Sequence, residues 1–275
     1  MQFTLPTDIE LALRLGVFLA MFAALALWEA AAPARAPRLS RLVRWRANLG
    51  LAVLNVLVLR VVLPGSALAF AAFAAEEGWG SLNRIAMPGW IAVALGAVLL
   101  DLVIYFQHVL FHSVPALARL HAVHHADPDF DLTTGIRFHP LEIVLSTLIK
   151  LAAIAALGAP VLAVLIFEVL LNATAMFNHA NVSLPAWLEP RVRRVLVTPD
   201  MHRTHHSVIE TERNSNYGFC LSVWDRWLGT YTPAPRGELD IGLPAWRDAG
   251  SIATLGGVLR MPFRNPPHEV PVHTQ

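Results

Sequence analysis

Ten of the twelve histidines in this 275-residue chain fall between His108 and His206. Eight of the ten form three boxes: His108 and His112 as H-x-x-x-H, His121, His124 and His125 as H-x-x-H-H, and His202, His205 and His206 as H-R-T-H-H. Residues three and four apart share a helix face, so each box is expected to point its imidazoles one way, as a shared metal site requires. Neutral imidazole ligates iron, zinc, copper and nickel. A structural zinc takes about four ligands, so eight candidates predict two metals. One H-x-x-x-H alone would be read as a chance pair. Chance does not account for H-x-x-H-H occurring twice.

The elements that must hold these boxes are apolar. The chain is 55% hydrophobic with mean hydropathy +0.51, too apolar for an ordinary soluble domain. Its net charge of +1 gives no reason to expect nucleic acid. A single cysteine, Cys220, excludes an internal disulfide, thiolate-bound zinc and iron–sulfur chemistry. Asp8 and Glu10 stand where a signal peptide would be basic, so the first apolar stretch, Leu11–Ala32, is expected to be a retained span. Arg14 and Glu29 lie near its ends, within reach of the interface. Five arginines between Arg35 and Arg46 read as a solvated loop and as a cytoplasmic one. Leu49–Leu63 with its flanks makes a second span and Trp90–Phe111 a third, which delivers His108 and His112. Ser66–Ala75 is too short to cross and reads as interfacial or re-entrant. Leu141–Leu157 and Val161–Phe177, joined by Gly158-Ala-Pro160, read as a hairpin that returns to the side it left. About five membrane helices result, with every box at the cytoplasmic face.

The predicted fold class is therefore all-α: an integral membrane helical bundle, multi-pass, with a cytosolic helical cap carrying the boxes around a dinuclear metal site. Residues 1–100 form an N-terminal membrane region, 101–232 a catalytic domain, and 233–275 a Pro- and Gly-rich tail in which His268 and His273 are ordinary exposed histidines. Thr198-Pro199-Asp200 is a helix start, with threonine as N-cap and proline in the first turn. Asp101 lies seven residues before His108 on the same helix face. A carboxylate there needs a partner, either a ligand histidine that it orients or a donor on another helix. Asp200, Asn178 and Asn216 are further candidates for supporting the ligands. Asp127-Pro-Asp-Phe-Asp131 reads as a loop. Trp224 and Trp227 read either as a lid or as an anchor at the membrane surface.

These residues carry a family resemblance. The segments DLVIYFQHVLFH, LHAVHHADPDFDLTTGIRFHP, FNHANVSLP, VTPDMHRTHHS and NSNYGFCLSVWDRWLGTY resemble the fatty acid hydroxylase and sterol desaturase superfamily, in that family's order, from Asp101 to Tyr231. The resemblance implies two Fe ions, activation of O₂, and oxidation of an unactivated C–H bond in a lipid, a sterol, fatty acyl chain or related molecule, to an alcohol or an alkene. It adds His139, in R-F-H-P, and His179, in N-H-A-N, as ligands, the alternative for His139 being a loop histidine bonded to backbone. Ala175 stands where some relatives carry one more histidine. No H-P-G-G haem segment occurs, so electrons are expected from a separate reductase, ferredoxin or cytochrome-type donor. A hydrocarbon substrate would be selected by pocket shape rather than by hydrogen bonds, with Ala173 and Ala175 on the hairpin wall. The rival readings are a zinc-type membrane metallohydrolase, though no box contains glutamate; a metal transporter, though transporters place ligands at mid-membrane; and a catalytically degenerate membrane partner protein.

Overall fold

The structure is a computed structural model that describes residues 6–265. The expectations for His268 and His273 lie outside the described residues. Among the described residues there is no β-strand, only isolated bridges such as Leu196 to Leu221. The long helices are α1 (Thr7–Ala31), α2 (Arg41–Val62), α4 (Gly89–Ser113), α6 (Pro140–Leu157) and α7 (Val161–Asn178), with the ten-residue α3 (Ala67–Glu76) after α2. Five runs are long and apolar enough to cross a membrane, α2 and α3 counting as one. The short helices are α5 (Pro115–His125), α8 (Glu189–Val192), α9 (Pro199–His205), α10 (Glu210–Arg213), α11 (Val223–Trp227), α12 (Ala249–Ile252) and α13 (Leu255–Arg260).

Local chemistry sets the breaks. Pro64-Gly65 ends α2, and Ser66 caps α3 by accepting from the Ala69 N–H at 3.1 Å. Pro115 opens α5 directly behind α4, where its missing N–H has no cost. Gly158 closes α6 with φ +66°, and a β-carbon on it would lie 2.5 Å from the Trp79 carbonyl. Only glycine satisfies both the turn and the close approach. One apolar core joins α3, α4, α6 and α7 through Leu68, Leu100, Ile104, Ile154, Val164 and Phe167.

The structure corrects or sharpens several of these expectations. Helix α2 starts at Arg41, eight residues before the apolar run at Leu49, and Arg44 is buried rather than solvated. Its Nε and Nη2 donate to the Asp127 carboxylate and its Nη1 to Asp131, each at 2.7 Å. Asp129 accepts from the Arg38 and Leu39 amides. The acidic stretch after the second box is thus a buried platform docked on the arginine segment, since desolvated charges persist only when paired. Glu29 is fully buried and accepts from the Leu132 and Asn181 amides at 2.7 and 2.8 Å. Arg14 pairs with Glu168 on α7, which also binds Lys150 of α6. Finally, the segment beyond Pro233 packs onto the bundle: Trp246, Ile252, Val258 and Met261 share a core with Leu51 and Val123. That core holds α5 from behind.

Candidate metal centre

Nine histidines converge in two groups. His108, His112, His121, His125 and His205 form one, His124, His179, His202 and His206 the other, and within each group one nitrogen per residue lies within 4.8 Å of the rest. All but the half-buried His112 are buried. Helix α4 delivers His108 and His112, α5 the second box, the end of α7 His179, and α9 the third box. The second and third boxes divide between the groups, contrary to a single shared direction, while the first serves one group. A helix turns about 100° per residue, so His121 and His125, four apart, face the five-histidine group while His124 turns to the other. In the third box His202 and His206 face the four-histidine group and His205 crosses over.

The rings are held by their Nδ1 atoms. His108 Nδ1–H donates to the Tyr217 carbonyl at 2.8 Å, His205 to Ser215 at 2.6 Å, and His179 to Ala175 at 2.7 Å. His121 donates to Glu142 Oε1 at 2.6 Å, and His112 to Asn214 Oδ1 at 3.3 Å. Each acceptor fixes the Nδ1–H tautomer and leaves Nε2 as a bare lone pair. Among the described residues the buried Nε2 atoms of His108, His121 and His205 have no partner. His179 Nε2 stands 3.1 Å from Nε2 of both His124 and His202, and His112 Nε2 is 3.1 Å from His125 Nε2. Lone pairs brought this close, and orphaned at this depth, fit bound cations. Protonation does not relieve them: burial first, then neighbouring imidazoles, hold His124, His125, His202, His205 and His206 well below the ordinary histidine range. Burial takes His179 to about 3. Neutral imidazole is the ligating form.

His139 is not brought to either group. It caps α6, its Nδ1 accepting from the Leu141 N–H at 3.2 Å, and its Nε2 meets the Leu259 carbonyl at 3.3 Å. Proline at position 140 places it at this N-cap, turned away from the boxes. Among the described residues none of the four polar candidates hydrogen-bonds a ligand ring. Asp101 accepts from the Cys220 and Leu221 amides and from Trp224 Nε1 at 2.7 Å, tying α4 to the segment before α11. Asn178 donates to the Phe219 carbonyl at 2.8 Å. Asn216, at φ +54°, bridges Met201 and Thr232 and pins the turn whose carbonyls hold His108 and His205. Asp200 pairs with Arg203 and Ser183 at the start of α9, and Thr198 caps that helix. Trp224 is buried against Asp101, whereas Trp227 is 75% exposed. Sequence reasoning missed Glu142, whose signal is a carboxylate in the first turn of an apolar helix. It also missed the Tyr217 and Ser215 carbonyls, which leave no side-chain signal.

A cavity of about 380 Å³ reaches His108 and His121 from between the membrane helices. Ile104, Phe111, Phe138, Leu171, Ala175 and Phe219 line it, while Ala173 does not.

The comparisons agree with this centre. The fatty acid hydroxylase family profile matches residues 93–230, half of the chain, which holds all nine clustered histidines. The chain belongs to the fatty acid hydroxylase family. It is 31% identical over 169 residues to ornithine lipid hydroxylase OlsE of Rhizobium tropici, covering 61% of this chain and 50% of that protein. It is 26% identical over 147 residues to human alkylglycerol monooxygenase, covering 52% and 30%, and 29% identical over 168 residues to cholesterol 25-hydroxylase of Rattus norvegicus, covering 59% and 54%. The chain thus spans between about a third and about half of these relatives. No solved structure matches significantly. Membership of this family stands beside five helical runs long and apolar enough to cross a membrane and two buried histidine clusters.

Proposed function

We propose that the chain is a membrane-bound, O₂-dependent lipid hydroxylase with two irons, one in each histidine group. The observation that carries this reading is the pairing of nine clustered histidines with a largely apolar cavity that ends on two of them. His108, His112, His121, His125 and His205 would hold one ion and His124, His179, His202 and His206 the other. Imidazole-bound iron supplies O₂ activation and redox change. The net reaction converts C–H to C–OH with one oxygen atom. The other leaves as water, taking two electrons and two protons from an external donor. The related proteins named hydroxylase or monooxygenase favour hydroxylation over desaturation.

The chain's own residues orient and exclude. Tyr217, Ser215 and Ala175 carbonyls and the Glu142 carboxylate fix the ligand rings before metal arrives, which limits rearrangement on binding. Phe138 stacks on His124 with centroids 4.5 Å apart, and Phe130 stacks on His179 at 5.3 Å. These aromatics, with Phe111 and Phe219, keep water from the substrate side. Asp101 holds the Cys220–Trp224 segment against α4 and so sets where Phe219 closes the cavity. The arginine segment and the boxes meet through Arg44 and Asp127 at one end of the bundle, and the positive-inside rule assigns that end to the cytoplasm. A separate reductase, ferredoxin or cytochrome-type protein would dock there.

Purified protein should carry about two metals per chain, and a strain lacking it should lose a lipid species heavier than its precursor by one oxygen. Metal near zero with unchanged lipids would refute the assignment. Cysteines placed at the exposed positions Ser113 and Glu210 should resist labelling from outside sealed cells; labelling there would reverse the orientation.

A further inference from the structure

The cavity is largely apolar but carries one polar stripe. On α6, Glu142, Ser146 and Lys150 recur every four residues and all line it, joined by Asn55 of α2 and Gln107 of α4. This polar stripe starts at the metal centre, where Glu142 meets His121, and runs about 12 Å along α6 at ~1.5 Å per residue. Its far end is closed upon itself, because Lys150 is neutralised by Glu168, which Arg14 also binds. Its near end is open. Asn55 Nδ2 donates to the Phe138 carbonyl, which fixes the amide orientation, and Gln107 Nε2 pairs with Ser146 Oγ at 3.0 Å. Asn55 Oδ1, Gln107 Oε1 and Glu142 Oε2 are all buried acceptors with no donor among the described residues. Asn55 is 6% exposed and Glu142 3%. Buried acceptors left unmade cost stability unless a ligand supplies the protons. A plain hydrocarbon chain would worsen that cost.

Resting on the reading of this cavity as the substrate site, we propose that the lipid enters with its polar part against the metal centre. A hydrogen-bond donor of the lipid, N–H or O–H, lodges among Asn55, Gln107 and Glu142 beside His108 and His121. The oxidised carbon therefore lies within a few bonds of that donor-bearing group, not on a remote stretch of chain. The acceptors call for hydrogen-bond donors on the lipid, and Lys150, paired with Glu168, leaves no free cation to recruit a phosphate. Sequence alone pointed to selection by shape; the wall composition points to selection by hydrogen bonds.

The test is equilibrium binding to the full metal-loaded chain in nanodiscs, with two probes of equal acyl length: an N-acylated ornithine lipid, and a fatty acid methyl ester that has no N–H or O–H. Gln107→Leu and Asn55→Leu should each weaken the N-acyl probe about fivefold or more, the worth of one neutral hydrogen bond, while leaving the methyl ester unchanged or tighter. Leu171→Trp, which fills the cavity, should abolish both. If the tryptophan variant binds both probes normally, the cavity is not the lipid site and both readings fall. If it abolishes both while the leucine variants do not discriminate between probes, the cavity reading stands and polar recognition is overturned. Gln107→Leu is the decisive variant if Asn55→Leu, which strips the Phe138 carbonyl of its donor, does not fold.

Discussion

Replacing Glu142 with glutamine isolates the one carboxylate that, among the described residues, backs a ligand ring. Its Oε1 accepts from His121 Nδ1 at 2.6 Å, and both side chains are buried. A hydrogen bond to a charged acceptor is worth about 1.5–3 kcal/mol and one to a neutral acceptor about 0.5–1.5 kcal/mol. Glutamine keeps the shape and loses the charge, so His121 as a ligand should weaken by about 1–2 kcal/mol, or roughly 5- to 30-fold in metal affinity. Alanine removes the acceptor altogether and leaves Nδ1–H buried and unpaired. Its cost should reach the ~10–100-fold typical of losing a histidine's outer partner. The assay is competition against a graded series of chelators, reading metal retained per chain, with a thermal melt to confirm the fold. His124, His179, His202 and His206 provide an internal control, since none of them touches Glu142. One metal should therefore leave early and the other at its wild-type chelator strength. Equal retention in wild type, glutamine and alanine variants would refute the claim that Glu142 supports a ligand. Loss of both metals together would refute the separation of the two groups.

Three further outcomes are expected. Arg44→Met strands Asp127 and Asp131 without their buried partner and should cost about 3–5 kcal/mol, read as a large fall in melting temperature; an unchanged melt would contradict the buried platform. Gly135→Ala puts a β-carbon 2.4 Å from the Ala175 carbonyl, which accepts from His179 Nδ1. It should deplete metal from the four-histidine group first, and even loss from both groups would count against this geometry. Burial, then the Asp101 charge, push the Cys220 thiol up to about 11, so the thiolate is scarce below that pH. Alkylation at pH 8 should run on the order of a hundredfold slower than in the denatured chain and quicken about tenfold per pH unit toward 11. Labelling at the denatured rate would show that the thiol is neither buried nor perturbed.

Much of the centre was legible because it is written in side chains at helical spacing. The three boxes, the N-cap at Thr198 and the return of the α6–α7 hairpin to bring His179 level with them all follow from periodicity and turn residues. What was not legible depends on contacts between segments remote in sequence. Arg44 looks like any arginine of a basic loop until Asp127, more than eighty residues on, is placed against it. Residues 239–263 lack a helical period, yet their scattered Trp246, Ile252 and Met261 complete the core behind α5. His139 fitted the family's spacing, but the proline after it commits the ring to capping α6. Backbone acceptors such as Tyr217 and Ser215 carry no compositional trace, since every residue has a carbonyl.

The division of the boxes follows from helix geometry and explains why H-x-x-H-H occurs twice. Within one such box the outer two histidines stand four apart on one face, and the inner one is turned by about 100° from its neighbour. On α5 the outer pair serves the five-histidine group and His124 the other; on α9 the outer pair serves the four-histidine group and His205 the first. Each short helix therefore contributes to both groups with opposite emphasis, and the two helices together behave as interlocking halves. His125 and His206 stack across the divide with centroids 4.4 Å apart. A rigid helix cannot move one ligand without the others, so the spacing between the groups is carried by α5 and α9 rather than by flexible loops. H-x-x-x-H on α4 cannot do this, because both of its members share a face and serve one group. That is why α4 alone would build half a centre, while α5 and α9 are needed to fix the two halves in register.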